Sequence, residues 1–204
     1  NWYGVTVAGG HVLALVLPSN NLSGPLPEEI GALRHLAVAI LYDNALTGPI
    51  PASLGNLSGL QTLWLGGNQL SGAIPSELGG LASLVWLDLS SNQLSGPVPA
   101  SLGNLGGLQQ MLLASNKLTG EIPSSFGGLT GLIPAIGLSL DHNGLFAADA
   151  GLAAFLQAKG SSFGEWQTTQ TLAPGGFAAG PPVGGSVVFS WTPIAYTGDP
   201  GYYE

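Results

Sequence analysis

Ser139, Asp141 and His142 lie within four residues of one another, and serine, histidine and aspartate are the side chains of a nucleophile with its base and orienter. That chemistry needs the histidine to bridge the other two. In an extended segment Ser139 and Asp141 share one face while His142 points away, so no triad is expected. Asp88 and Asp141 are the next candidates, as paired carboxylates for acid–base work on a glycosidic bond. Two strands apart they stand about 10 Å from each other, too far for a retaining pair though not for an inverting one. No apolar pocket that would hold one of them protonated is visible in the sequence. His11, His35 and His142 are scattered and the chain has no cysteine, which removes disulfides, zinc fingers, thiol catalysis and iron–sulfur clusters together. Neither an enzyme nor a metal or cofactor site is expected.

The polar residue that does recur at a fixed interval is asparagine. Asn20, Asn44, Asn68, Asn92, Asn116 and Asn143 are separated by 24, 24, 24, 24 and 27 residues. Each closes the phrase Leu-x-Leu-x-x-Asn, as in Leu63, Leu65 and Asn68, with Ala39 and Met111 softening the first position of two copies. A carboxamide carries two donors and an acceptor. Placed where the chain turns inward, it can satisfy backbone groups of its own coil and of a neighbouring one. Stacked, these asparagines form a ladder, and loss of a member leaves buried groups unpaired at about 1–3 kcal/mol each.

The elements that hold such a ladder follow from the rest of the unit. Leu-x-Leu alternates, so it predicts a short strand with its leucines on one side. One such strand cannot bury its face alone, so successive units stack and pair. After the asparagine come Leu46-Thr47-Gly48 with Pro51, Leu70-Ser71-Gly72 with Pro75, and their equivalents. Glycine permits positive φ and proline forbids a regular α-helix, so the return side is expected to be extended with short 3₁₀ turns. The last interval is three residues longer, and Pro134 within it predicts a bulge or loop before the sixth strand. The style then changes over 147–159. Asp149 can cap a helix, Leu152, Phe155 and Leu156 share a face, and Lys159-Gly160 is a stop. Such a helix is a suitable lid for the apolar end of a stack.

Composition agrees. The 204 residues include 33 glycines and 15 prolines, yet 45% are hydrophobic and only 7% charged, so the chain folds and its glycines and prolines are recurring turns. A net charge of -8 repels phosphate backbones, so nucleic acid is not an expected partner. No apolar run reaches the roughly 18–20 residues of a membrane span, so no membrane insertion is expected. The chain starts at Asn1 without methionine or signal peptide, as a processed or trimmed fragment would.

From about Val12 to Leu145 the unit resembles the leucine-rich repeat, in its plant-type form Leu-x-x-Leu-x-Leu-x-x-Asn-x-Leu-Ser-Gly-x-Ile-Pro-x-x-Leu-Gly-x-Leu. Asn1-Trp2-Tyr3-Gly4-Val5-Thr6-Val7 is similar to that subclass's amino-terminal cap, Trp-x-Gly-Val-x-Cys, with Val7 at the cysteine position. The cap would then be held by Trp2 and Val5 packing over the first coil, and the departure points to a bacterial relative or a redesigned cap. The expected architecture is an α/β, β-dominated, right-handed solenoid of about six 24-residue repeats. A cap covers 1–11, repeats 12–146, a cap helix 147–160, and a linker or β tail 161–204. In that tail Ser186-Val187-Val188-Phe189-Ser190-Trp191-Thr192-Pro193, with 198–204, resembles the opening strands of a fibronectin type III domain. Asn21-Leu22-Ser23 and Asn56-Leu57-Ser58 fit the N-glycosylation pattern, but the repeat frame produces that tripeptide by default.

In a solenoid the strand face is the natural binding surface. Six strands about 4.8 Å apart make a face roughly 24 Å wide. The candidate binding residues on it are Val16, Ile40, Tyr42, Trp64, Trp86, Asp88, Gln110 and Leu112. A contiguous apolar and aromatic patch on a solvent-facing strand surface commonly marks a binding site, and tryptophan and tyrosine suit protein, peptide or carbohydrate partners. The competing expectation is that the chain after Gly160 folds back over the patch. The resemblance implies a non-catalytic recognition module, secreted or at the cell surface, that binds a protein or peptide. A rigid spacer in a larger modular surface protein and an inhibitor of a secreted hydrolase are the alternatives.

Overall fold

The computed structural model describes residues 3–160, 175–179 and 189–192. In chain order the strands are β1 (Val5–Ala8), β2 (His11–Val16), β3 (Ser23–Pro25), β4 (Val38–Ile40), β5 (Ala45–Gly48), β6 (Thr62–Trp64) and β7 (Gln69–Gly72). They continue as β8 (Trp86–Asp88), β9 (Gln93–Gly96), β10 (Gln110–Leu112), β11 (Lys117–Glu121), β12 (Leu138–Ser139) and β13 (Gly144–Phe146), followed by helix α1 (Ala150–Lys159). β2, β4, β6, β8, β10 and β12 pair in parallel and β1 closes the near edge of that sheet antiparallel to β2. The result is a right-handed solenoid in which each coil contributes one strand to this face.

The core is a set of columns. Leu36, Leu60, Leu84 and Leu108 form one, Leu46, Leu70, Leu94 and Leu118 a second, and Leu54, Leu78, Leu102 and Phe126 a third, each residue at most 5% exposed. Burying each such side chain contributes about 1.5–3 kcal/mol, and a column contributes only if both neighbours are present. Stability therefore comes from stacking and not from any one coil.

The return path differs from the sequence expectation in one respect. It is extended and carries 3₁₀ turns, but β3, β5, β7, β9, β11 and β13 also pair into a second parallel sheet. These segments are three to five residues long and each holds a glycine, and all but β13 carry a serine or threonine that is at least partly open, so the sequence pattern does not mark them as strands. Their pairing is imposed by the repeat itself, which sets equivalent backbones side by side at every turn. The 3₁₀ turns, such as Ala52–Asn56 and Ser76–Gly80, each follow a proline in an extended conformation, Pro51 at φ -63 and ψ 130. Here consecutive coils approach closely. A Cβ on Gly55 would lie 2.6 Å from the backbone oxygen of Glu77 in the next coil.

At the carboxy-terminal end, residues 133–137 form a turn with Ala135 at φ 64, and β12 is left with two residues. α1 closes the stack. Asp149 Oδ1 accepts the Leu152 N–H at 2.6 Å, and Leu152 and Leu156 are buried with Phe155 packed against the core. Lys159 Nζ donates to the carbonyls of Thr130 at 3.2 Å and Leu132 at 2.7 Å, which ties the helix to the inserted turn. Asp149→Ala is expected to lower stability by about 1 kcal/mol, read as a lower thermal midpoint without change in the binding face. At the other end Val5 is half-buried on β1, and Trp2 lies outside the described residues. Strands Gly175–Ala179 (β14) and Phe189–Thr192 (β15) pair antiparallel. The rest of the fibronectin-like stretch lies outside the described residues. No helix among the described residues is long and apolar enough to cross a membrane.

Candidate binding face

The strand face is supported from beneath by the asparagines. Asn44 Nδ2 donates one coil back to the Leu17 carbonyl at 2.9 Å and within its own coil to Leu41 at 2.9 Å. Its Oδ1 accepts the N–H groups of Asn20 and Leu22 at 2.9 and 3.0 Å. Asn68, Asn92, Asn116 and Asn143 repeat the arrangement, accepting from Leu46, Leu70, Leu94 and Leu118 at 3.0–3.1 Å. A carbonyl between two rungs, such as Leu65 O, accepts from both Asn68 and Asn92 at 3.0 Å. Every rung reaches toward the preceding coil. Asn20 therefore departs from the expected ladder: it is exposed, its side chain bonds to no described residue, and only its N–H takes part. What precedes its coil is the β1–β2 hairpin, which offers no equivalent turn to hold.

Above this support the register fixes the surface. Val16, Ile40, Trp64, Asp88, Leu112 and Ser139 are directly opposed on successive strands, and so are Val38, Thr62, Trp86 and Gln110. Val16 is exposed and the others are partly open. Trp64 therefore lies one strand over and two residues away from Trp86, and Tyr42 stands in the same relation to Trp64. The Tyr42 and Trp64 ring centroids are 6.2 Å apart at 56°. Tyr42, Trp64 and Trp86 thus form a diagonal line across three coils, with about 8 Å per step from strand spacing and rise. Spaced 22 residues apart in a 24-residue repeat, the three are already offset by two positions per coil in the sequence; what the structure adds is how their rings are oriented. Gln110 Nε2 donates to the Ile136 carbonyl at 3.2 Å and borders the line.

Beside the rings, Asp88 Oδ1 accepts the Ser90 N–H at 2.9 Å and the Ser90 hydroxyl at 2.6 Å. Its carboxylate lies over Gly66, where an added Cβ would fall 2.8 Å from Oδ2. Gly66 and Ser90 set the Asp88 rotamer, a role the sequence does not signal, since both look like ordinary repeat residues. Gly66→Ala is expected to push the carboxylate off Ser90 at a cost of about 1 kcal/mol, measured as a shift in the denaturation midpoint. Trp64 Nε1 is buried and has no hydrogen-bond partner among the described residues.

Ser139 Oγ donates to Asp141 Oδ2 at 3.1 Å, Asp141 is buried, and His142 is exposed in the left-handed region at φ 54. Among the described residues no group of three metal-ligating side chains converges.

Two models of the leucine-rich repeat match the chain, over residues 34–94 and 107–129. No curated protein matches it. Among solved structures, a chain of the PEPR1–AtPEP1 complex is 38% identical, with a TM-score of 0.68, covering 71% of this chain and 20% of that one. A chain of the BIR3–SERK2 complex from Arabidopsis thaliana is 35% identical, with a TM-score of 0.61, covering 71% of this chain and 76% of that one. The Arabidopsis receptor kinase HAESA, in complex with the peptide hormone IDA and the co-receptor SERK1, is 33% identical, with a TM-score of 0.57, over 69% of this chain and 23% of that one. The chain thus spans only about a fifth of the PEPR1 and HAESA structures' chains. With repeats, asparagine ladder and second sheet in one frame, the chain belongs to the leucine-rich repeat family and is of its plant type.

Proposed function

We propose that this chain is a non-catalytic, extracellular recognition module that binds an extended peptide, or an extended segment of a protein, across Tyr42, Trp64 and Trp86. The observation that carries this reading is the diagonal of three partly open aromatic rings on the strand face. Alternate side chains of an extended peptide are spaced about 6.6–6.8 Å apart, close to the 6.2 Å between the Tyr42 and Trp64 rings, so a short strand laid along the diagonal can place successive outward side chains against them. Trp64 Nε1 adds a second support. A donor held dry without a partner costs free energy, and a small rotation of the indole that offers it to a carbonyl on a ligand recovers that cost. Asp88 beside the line and the net charge of -8 favour a neutral or basic partner. The solved HAESA complex, whose stated partner is a peptide hormone, supports the same class of ligand.

The test is selection from a displayed library of linear peptides, with counter-selection on a W64S/W86S variant. The reading requires enriched peptides that bind the natural face and not the variant. Enrichment that survives the substitution equally well contradicts it.

A further inference from the structure

A pocket of about 300 Å3 opens where the chain enters the second coil, lined by Gly10, His11, Val12, Ala32, Leu33, Arg34 and His35. The His11 and His35 rings stack with centroids 3.9 Å apart at 32°. Arg34 stands next to them, and no carboxylate lines the pocket. The whole chain has only three lysines and arginines and three histidines against eleven acids. Of the other two cations, Lys159 is committed to backbone carbonyls and Lys117 lies on the second sheet. Half of the basic side chains of an acidic protein therefore meet in one place. The repeat frame does not ask for them, because the positions equivalent to His35 in the next three coils are Gly59, Ser83 and Gly107, and those equivalent to Arg34 are Ser58, Ala82 and Gly106.

We propose that this pocket is a carboxylate-binding site. A guanidinium presents a planar fork that matches a carboxylate with two N–H donors, and each imidazole adds an N–H. The apolar walls from Val12, Ala32 and Leu33 suit a carboxylate on a short aliphatic stem better than a bare phosphate. The size falls at the lower end of small-molecule sites. All three basic side chains are exposed, so a lone carboxylate is bound with an affinity of millimolar order. The site is independent of the aromatic diagonal and of the peptide reading.

The experiment follows the histidine ring C–H signals by NMR in the full chain while succinate, inorganic phosphate or chloride is added at one fixed, mildly acidic pH. Saturable shifts of His11 and His35 with succinate, with His142 unmoved, are expected. Arg34→Gln, an exposed substitution that leaves the fold intact by circular dichroism, is expected to weaken succinate binding at least tenfold. Three results would overturn the site. His11 and His35 shift no more than His142, succinate binds R34Q as well as the natural protein, or chloride and phosphate produce the same shifts as succinate.

Discussion

Asn68→Ala is expected to lower the free energy of unfolding by about 3 kcal/mol, while Asn20→Ala leaves it within about 0.5 kcal/mol. The difference follows from which bonds each side chain makes. Asn68 is 8% exposed and donates to Leu41, Leu65 and Gly66. After truncation those carbonyls keep other donors: Leu41 O retains Asn44, Leu65 O retains Asn92, and Gly66 O retains the Asp43 N–H. The Leu46 N–H keeps nothing equivalent, since it donates to Asn68 Oδ1. One fully orphaned buried donor, the loss of three shared bonds and a small void add to roughly 3 kcal/mol. That is a large part of the 5–15 kcal/mol typical of a folded domain. Urea denaturation of the two variants checks it, and equal midpoints would mean the ladder is decorative.

The second large effect is on binding. For a peptide selected on the natural face, W64S/W86S is expected to weaken affinity at least a hundredfold, or about 2.7 kcal/mol. Central aromatic anchors commonly contribute at least about 2 kcal/mol each, non-additively. The two residues sit on adjacent strands as consecutive members of the diagonal, so both contact the same stretch of ligand. Both rings are partly open on the face, and the columns beneath them at Leu63, Leu65, Leu87 and Leu89 stay packed, so the variant is expected to keep the fold. Lys117→Ser, on the second sheet, serves as the control and leaves affinity unchanged. Isothermal titration of the same peptide against all three proteins reads both numbers.

Much of the fold can be read from the residues because a repeat states its own register. The 24-residue interval places Leu63 on Leu87 and Asn68 on Asn92 before any coordinate is known, and the Asp149 cap and the Pro134 interruption are local signals that act locally. The return sheet is less legible, since Ser71 and Gly72 carry no alternation and pair only because the coils on either side are stacked. Asn20 is illegible for a different reason. It has the frame of a rung, but what matters is the element before it, and the hairpin there has no turn to bond. At the binding face the identities of Tyr42, Trp64 and Trp86 and their two-residue offset per coil are legible, and the tilt of their rings is not. Likewise, nothing in the frame marks Gly66 and Ser90 as the residues that hold Asp88, or His11 and His35 as stacked partners. Those are relations between coils that arise from side-chain size and rotamer, which a spacing rule does not contain.

The strand face is the surface proposed to meet a partner. The most direct measurement is backbone amide chemical-shift mapping of the isotope-labelled chain as a selected peptide is added. Perturbations are expected to centre on β4, β6 and β8 and to reach the Trp64 and Trp86 indole N–H signals. Perturbations centred instead on β5, β7 and β9 or on α1, with both indole signals unmoved, would contradict it.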